Sequence, residues 1–152
     1  MHKSELFVLF RWLSHIAIEP GFLEQVFDTL KAKAASSDHY RFCSLVLDGM
    51  SIRQQIDYDA AHDRFCGYVD LGTGHETTNK NNIVAKEMLM FMAVGITGHW
   101  KVPVAYFLTS GMSAGVQAKL VVECLSKLHD VGIRCLSISM DGHATNQAMV
   151  SK

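Results

Sequence analysis

The sequence predicts an α/β fold in which a mixed sheet is built from a β-meander, a crossover helix and a parallel strand. Short apolar runs rich in β-branched and aromatic residues recur between residues 40 and 108. A long amphipathic segment, 113–131, has the spacing of a helix, and another apolar run, 134–140, follows it. A strand, helix, strand unit with this crossover length is normally parallel and right-handed. We therefore expect several consecutive strands, one covering helix and a returning strand.

The first strands are placed by their apolar runs. Residues 42–47 form a strand, 50–58 either continue it or return as its hairpin partner, and 65–71 form the next strand. The polar stretch 74–82 indicates an exposed loop. Residues 86–97 fit a buried helix or a central strand, because their periodicity does not separate the two.

The second half of the chain is clearer. Residues 102–108 are a strand in which Pro103 suits an edge or a first position. The long helix begins after Ser113, a good N-cap, and ends at Gly132. A short helix is expected at 144–151. The buried stripe of the long helix is Val116, Leu120, Cys124, Leu125 and Leu128.

Residues 1–35 are predicted to be a helical preface and residues 36–152 the α/β domain. The preface contains two apolar segments, 6–13 and 22–30, and the second recurs at helical spacing. A helix that is apolar on most sides, as the first segment is, needs a partner to cover it. The preface is therefore expected to continue some preceding element.

The composition is that of a single globular domain. The chain has 152 residues, of which 49% are hydrophobic and 19% charged, which excludes a disordered chain and a strongly basic arm. With a net charge of -1, binding of DNA would need local basic groups or a basic domain elsewhere. The longest apolar run, 88–96, is shorter than the about 20 residues that cross a bilayer, so no membrane partner is expected.

The cysteines indicate a reducing compartment. Cys43, Cys66, Cys124 and Cys135 show no ligand spacing typical of zinc. Most lie in apolar stretches, where a free cysteine behaves as a small hydrophobic residue. We therefore expect an intracellular protein and have no reason to assign disulfides.

Two of the predicted strands end in an Asp-Gly pair, Asp48-Gly49 and Asp141-Gly142. If the strands are neighbours, the two carboxylates meet at one edge of the sheet. Convergent carboxylates suit a hard divalent cation such as Mg²⁺, which makes phosphodiester chemistry the natural candidate. The alternative is structural, because Asp-Gly is also a strong hairpin-turn signal in which glycine supplies a positive φ.

Four segments carry a more specific pattern: Cys43–Arg53, Gly67–Gly72, Lys101–Phe107 and Ser139–Asn146. Together they resemble the catalytic domain of P-element-type transposases, including the relatives that carry a THAP domain. The resemblance spans most of residues 5–152. Its Asp-Gly-Met-Ser-Ile motif, which begins at Asp48, is considerably more specific than Asp-Gly alone. The predicted topology, with the first strand beside the strand after the crossover, is also the layout of the ribonuclease H-like fold.

The resemblance implies a DDE-type DNA transposase, in which three acids bind two Mg²⁺ or Mn²⁺ ions for phosphodiester cleavage and strand transfer. Asp48 matches the first acid and Asp141 the second. The third, a glutamate beyond a GTP-binding insertion, has no counterpart before Lys152, and the zinc-dependent DNA-binding domain is absent too. We therefore expect a fragment that is inactive alone. The intact protein would bind DNA, lie in the nucleus and have an oligomeric state that the sequence leaves open, a homo-oligomer included.

Two other classes of protein remain open. The first is a non-catalytic protein-interaction module that keeps the fold and offers Phe7, Phe10 and Trp12 to a partner. The second is a flavodoxin-like nucleotide binder, which fits poorly because a meander precedes a single crossover. Metal binding that depends on Asp48 would distinguish the transposase from the module.

Four polar residues have both a functional and a structural interpretation. His143 and Asn146 lie beside Asp141 and either orient a metal-bound water or cap a helix. Asp70 and Glu76 either replace the third acid or lie in turns and on the surface. The structural interpretation is the simpler one in each case.

Other candidates could contact a nucleic acid or an anion. The segment Gly111–Gly115 opens a helix and could offer backbone N–H groups to an anion, but it lacks the ending of a P-loop. Trp100 with His99 could stack a base or pack at the rim of the sheet. Three cations are candidates for phosphate contacts without support from a motif: Arg53, Lys80 and Lys101.

Overall fold

A computed structural model describes residues 19–60, 63–72 and 83–141. Two helices lie within these ranges, α1 (Glu24–Ser36) and α2 (Ala114–Asp130), and a single 3₁₀ turn covers Asp38–Tyr40. The strands are β1 (Gly21–Phe22), β2 (Phe42–Ser51), β3 (Asp57–Asp59), β4 (Arg64–Cys66), β5 (Glu87–Gly95), β6 (Lys101–Thr109) and β7 (Arg134–Met140). The expected helices at 6–13 and 144–151 and the loop at 74–82 lie outside these ranges.

Five strands form one mixed sheet in the order β1-β6-β5-β2-β7. β2, β5 and β6 are antiparallel neighbours, which confirms the predicted meander. The chain then crosses over through α2 and returns as β7, parallel to β2, as the crossover length predicts. The first strand of the meander therefore lies beside the strand that follows the crossover helix.

The ambiguous segment 86–97 is a strand. β5 occupies the centre of the sheet between β2 and β6, and both of its faces are covered. Phe91 and Ala93 belong to one apolar cluster, while Met90 and Met92 belong to a second cluster on the other face. A strand buried on both faces has a continuous apolar sequence, which is why periodicity could not distinguish it from a helix.

The middle of the chain is less regular than predicted. β2 extends to Ser51, and the expected strand 65–71 is shorter, because only Arg64–Cys66 pairs, in a separate hairpin with β3. Isolated bridges from Tyr68 to Val84 and from Asp70 to Leu108 continue its path along the sheet. The hairpin exposes Tyr58 and Phe65, so these apolar residues do not mark a buried face.

Pro103 lies inside β6 rather than at its first position. The register of β5 with β6 shifts between Phe91 and Met92, which leaves Val104 as an extra residue beside the proline. A β-bulge is one of the few places where a sheet accepts a residue without a backbone N–H group. The bulge therefore accommodates Pro103 on the β5 side, and on the other side β1 pairs only with Ala105 and Tyr106, so the proline has no strand partner there.

The main core lies between the sheet and the two helices. Phe91 and Phe107 meet edge to face at 5.3 Å between ring centroids, and each is fully buried. Burying one such side chain stabilises the fold by about 1.5–3 kcal/mol. The helices and the strands supply Phe27, Leu30, Leu45, Leu47, Leu120, Cys124, Leu128 and Ile133 to the same cluster. α1 therefore packs on the sheet as part of the same core. The domain boundary at residue 35 stays a prediction.

The ends of α2 agree with the sequence signals. The Ser113 hydroxyl accepts a hydrogen bond from the Val116 backbone N–H at 3.3 Å, which confirms the N-cap. Gly132 follows the last turn with a φ of +86°, the left-handed conformation that ends many helices. Neither helix of the described ranges is both long and apolar enough to cross a membrane.

Candidate functional site at one end of the sheet

The pairing of β2 with β7 brings the two Asp-Gly segments to the same end of the sheet. Leu47 and Met140 are Cα partners in this parallel pair, and the residues that follow them are Asp48 and Asp141. Adjacent strands lie about 4.7–4.9 Å apart. The two aspartates therefore occupy neighbouring positions on adjacent strands.

Asp48 does not lie in a hairpin turn. It is paired with Met90 of β5, and the strand continues through Gly49 to Ser51. The turn interpretation of this Asp-Gly pair is therefore wrong. Asp48 is half-buried within a strand that has a neighbour on each side, whereas Asp141 follows the last residue of β7 and is exposed. Residue 142 lies outside the described ranges, so the second pair is not tested.

A cleft of about 270 Å³ opens at this end of the sheet. Its lining includes Asp141, Gly49 and Glu87. Asp48 is not part of this lining, in agreement with the alternation that directs its side chain to the face opposite that of Leu47. Glu87 is a carboxylate that sequence reasoning missed, because its place depends on the register of β5, where it pairs with Ser51 and Thr109.

Among the residues that the structure describes, Asp48 and Asp141 are not part of a larger cluster of metal ligands. Across 19–60, 63–72 and 83–141, no group of three or more His, Cys, Asp or Glu residues is arranged to hold a metal ion. Asp70 is separate from the pair, since it bridges to Leu108 of β6 and its carboxylate accepts the Gly72 backbone N–H at 2.9 Å. Glu76, His143, Asn146 and Lys80 lie outside the described ranges.

The helix start at Gly111–Gly115 is occupied by hydrogen bonds within the chain. The Gly111 N–H donates to the Thr109 hydroxyl at 3.1 Å, and the Val116 N–H donates to Ser113. Gly111 has a φ of +121°, which only glycine adopts readily. The segment therefore serves as a turn and helix cap, and these two groups are not offered to an anion.

Trp100 packs at the rim of the sheet, at the end opposite to the aspartates. Its ring stacks on Tyr40 with 5.0 Å between centroids, and its indole N–H donates to the His39 carbonyl at 3.0 Å. These contacts account for the tryptophan as a packing residue.

Of the candidate cations, Lys101 begins β6 and Arg53 follows β2 as an exposed residue.

The chain order of the strands, the parallel return after α2 and the helices on one face define a ribonuclease H-like α/β domain. Residues 18–152 match the family described as TNP-like, RNase H N-terminal domain. The chain therefore belongs to that family, and the resemblance to P-element-type transposases is confirmed.

Two known proteins show how much of a longer protein this chain covers. It is 34% identical over 143 residues to the human DNA transposase THAP9, which covers 93% of this chain and 16% of that protein. It also matches the solved Drosophila P element transposase strand transfer complex with a TM-score of 0.63 and 22% identity, covering 99% of this chain and 29% of the other. The second match concerns the fold. The chain thus spans less than a third of either relative.

Proposed function

We propose that this chain is part of a DDE-type DNA transposase domain and that Asp48 and Asp141 are two of its metal ligands. The observation that supports this is the register of β2 with β7, in which Leu47 and Met140 are partners and an aspartate follows each. A protein of the same family named a DNA transposase supplies the reaction class. The intact protein would cut and join DNA phosphodiesters.

The residue types and their setting suit Mg²⁺ or Mn²⁺. Magnesium usually binds one or two carboxylates, keeps several waters and prefers oxygen ligands. A bound divalent ion would supply charge stabilisation and an activated oxygen nucleophile. Asp48 would contribute a ligand fixed by the strands on both sides of β2, and Asp141 a ligand at the more open end of β7. Rigid strands are good supports for ligands that must keep a set geometry.

The isolated chain should bind metal weakly and leave DNA intact. Two carboxylates provide fewer ligands than a two-metal centre requires, and the described residues offer no third acid arranged with them. The net charge of -1 gives little attraction for phosphates. DNA binding, a nuclear location and catalysis are therefore proposed for a longer protein that would carry a further acid and basic surfaces.

Calorimetry with Mn²⁺ and Mg²⁺ on the purified chain tests the proposal directly. We expect saturable binding that is lost in Asp48→Asn and in Asp141→Asn. Asp130→Asn is the matched control, because Asp130 is an exposed carboxylate at the far end of α2. A second test is affinity cleavage, in which Fe²⁺ replaces Mg²⁺ and ascorbate and peroxide are added. We expect the protein backbone to be cut near residues 48 and 141.

Circular dichroism of each variant separates loss of a ligand from loss of the fold. Binding that survives both substitutions, in variants that remain folded, would contradict the assignment of the two aspartates. Absence of binding in the folded wild-type chain would instead favour the non-catalytic interaction module. The residues that motivated that module, Phe7, Phe10 and Trp12, lie outside the described ranges.

A further inference from the structure

Two cysteines face each other across the same pair of strands, near the end opposite to the aspartates. Cys43 of β2 and Cys135 of β7 are Cα partners. Cys43 belongs to the main core cluster, and the partly buried Cys135 packs against it. Adjacent strands are about 4.7–4.9 Å apart, within the Cα separation of about 4.4–6.8 Å that disulfides span. The backbone therefore already holds these two residues at a distance that a disulfide can bridge.

An irregularity in β7 gives the pair its orientation. The register shifts directly after Cys43 and Cys135, because Ser44 pairs with Ser137 and leaves Leu136 without a partner. The Leu136 side chain is 61% exposed, while Cys135 contacts the core. A bulge changes the direction of side chains and bends the strand locally. With this register Cys135, and not Leu136, lies beside Cys43 and packs against the core.

The two thiols have opposite acid–base character. A hydrogen bond between the Cys43 and Cys135 side chains is the main reason that the pKa of Cys135 is lowered to about 6. The Cys135 Sγ also donates a hydrogen bond to the Ser137 carbonyl at 3.1 Å. The hydrogen bond between the two cysteines, together with burial, raises the pKa of Cys43. Of the two thiols, Cys135 is therefore the one that ionises more readily, and Cys43 is the one that keeps its proton.

The third cysteine of this region is less suited to react. Cys124 of α2 is fully buried, and desolvation raises its pKa to about 12. Cys66 lies in the separate hairpin of β3 and β4, away from the pair. Cys43 is also fully buried, but it needs to reach only its neighbour, whereas the partly exposed Cys135 can meet a small oxidant.

We propose that Cys43 and Cys135 form a reversible disulfide that joins β2 to β7 when the protein meets hydrogen peroxide. The Cys135 thiolate attacks the peroxide, the O–O bond breaks, and a sulfenic acid and hydroxide are formed. The Cys43 sulfur then attacks the sulfenic sulfur, the S–O bond breaks, and water leaves with the Cys43 proton. The dithiol loses two electrons and the peroxide gains them. A dithiol reductant restores both thiols.

Each cysteine falls in a different tryptic peptide, so the pairing can be mapped without mutation. Cleavage after Arg41, Arg53 and Arg134 places Cys43 in residues 42–53 and Cys135 in residues 135–152, while Cys124 and Cys66 fall in 120–127 and 65–80. The folded chain is treated with hydrogen peroxide, blocked with an alkylating agent and digested without reduction. We expect a loss of two hydrogen masses and one cross-linked species, 42–53 with 135–152, that dithiothreitol removes.

Variants then test the assignment. Cys66→Ser should form the same cross-link, and Cys124→Ser should form it too, whereas Cys135→Ser should not. A cross-link through the Cys124 peptide would overturn the proposal. So would four unlinked, reduced cysteines in the wild-type chain under conditions that fully oxidise glutathione. Because the map is made on the wild-type chain and involves no metal, its result is independent of the proposed metal site.

Discussion

Leu47 and Met140 are Cα partners in the parallel pair of β2 and β7, and an aspartate follows each of them in the chain. The position of Asp48 is fixed further by its pairing with Met90 on the other side of β2. The backbone around Asp48 is therefore held by hydrogen-bonded strands on both sides. A metal that binds both aspartates should stabilise the folded chain, because the unfolded chain does not hold β2 beside β7.

Mn²⁺ should raise the free energy of unfolding through these two aspartates. At ten times the dissociation constant a ligand specific for the folded state adds about 1.4 kcal/mol. We expect this gain in the wild-type chain and in Asp130→Asn, and its absence in Asp48→Asn. Urea denaturation with and without Mn²⁺ measures it. An equal gain in all three proteins would indicate metal binding elsewhere.

The N-cap of α2 predicts opposite effects for two serine substitutions. Ser113→Ala removes the acceptor of the Val116 N–H and should cost about 1 kcal/mol of the free energy of unfolding. Ser126→Ala changes an exposed serine inside the same helix, where alanine is the better helix former, and should be neutral or slightly stabilising. Chemical denaturation of both variants provides the measurement, and an equal loss in both would contradict the cap.

Two glycines of the same region should also respond in opposite directions. Gly132 has a φ of +86°, so Gly132→Ala should destabilise the fold by about 1–2 kcal/mol through the left-handed conformation alone. Gly115 lies in the first turn of α2, and an added Cβ there meets no atom within 4 Å. Gly115→Ala should therefore stabilise the helix by up to about 1 kcal/mol. Thermal unfolding of the pair tests the assignment, which fails if both substitutions destabilise.

Much of the fold could be predicted because its main elements carry local signals. Short stretches of sequence mark the cap and stop of α2, the apolar run of β6 and the return of β7. The crossover length predicts a parallel return, and the strand order of the meander predicts that β7 lies beside β2. β5 could not be assigned, since burial on both faces removes the alternation that marks a strand.

The candidate functional site, like the fold, could be predicted only in part. The positions of Asp48 and Asp141 followed from strand order, and their role as metal ligands stays a prediction. Glu87 was missed because nothing near it in the sequence shows that β5 starts at this end of the sheet. The pairing of Cys43 with Cys135 was missed for a related reason, since it depends on a bulge at Leu136. Strand registers and bulges depend on packing between distant segments, which cannot be read from a single sequence.

The core predicts a large cost for Leu45→Ala and a small one for Val122→Ala. Leu45 of β2 is fully buried in the main cluster, and truncating such a leucine costs about 2–5 kcal/mol, depending on how well the cavity closes. The Val122 side chain is 63% exposed on α2, where substitutions usually change stability by less than about 0.5 kcal/mol. Urea midpoints compare the two, and a similar loss in both would contradict the packing of β2 described above.

The alkylation rate of Cys135 should depend on pH in a way that differs from that of free cysteine. Only the thiolate reacts, and hydrogen bonding from Cys43 lowers the pKa of Cys135 to about 6. The rate at which Cys135 reacts with iodoacetamide should therefore rise between pH 5 and 7, each about one unit from that pKa, and then level off. The rate for free cysteine, with a pKa of about 8.5, continues to rise above pH 7. Mass spectrometry of peptide 135–152 measures the rate at each pH. In a folded Cys43→Ala variant the midpoint should move to higher pH because the donor is gone, and an unchanged midpoint would show that Cys43 does not set the reactivity of Cys135.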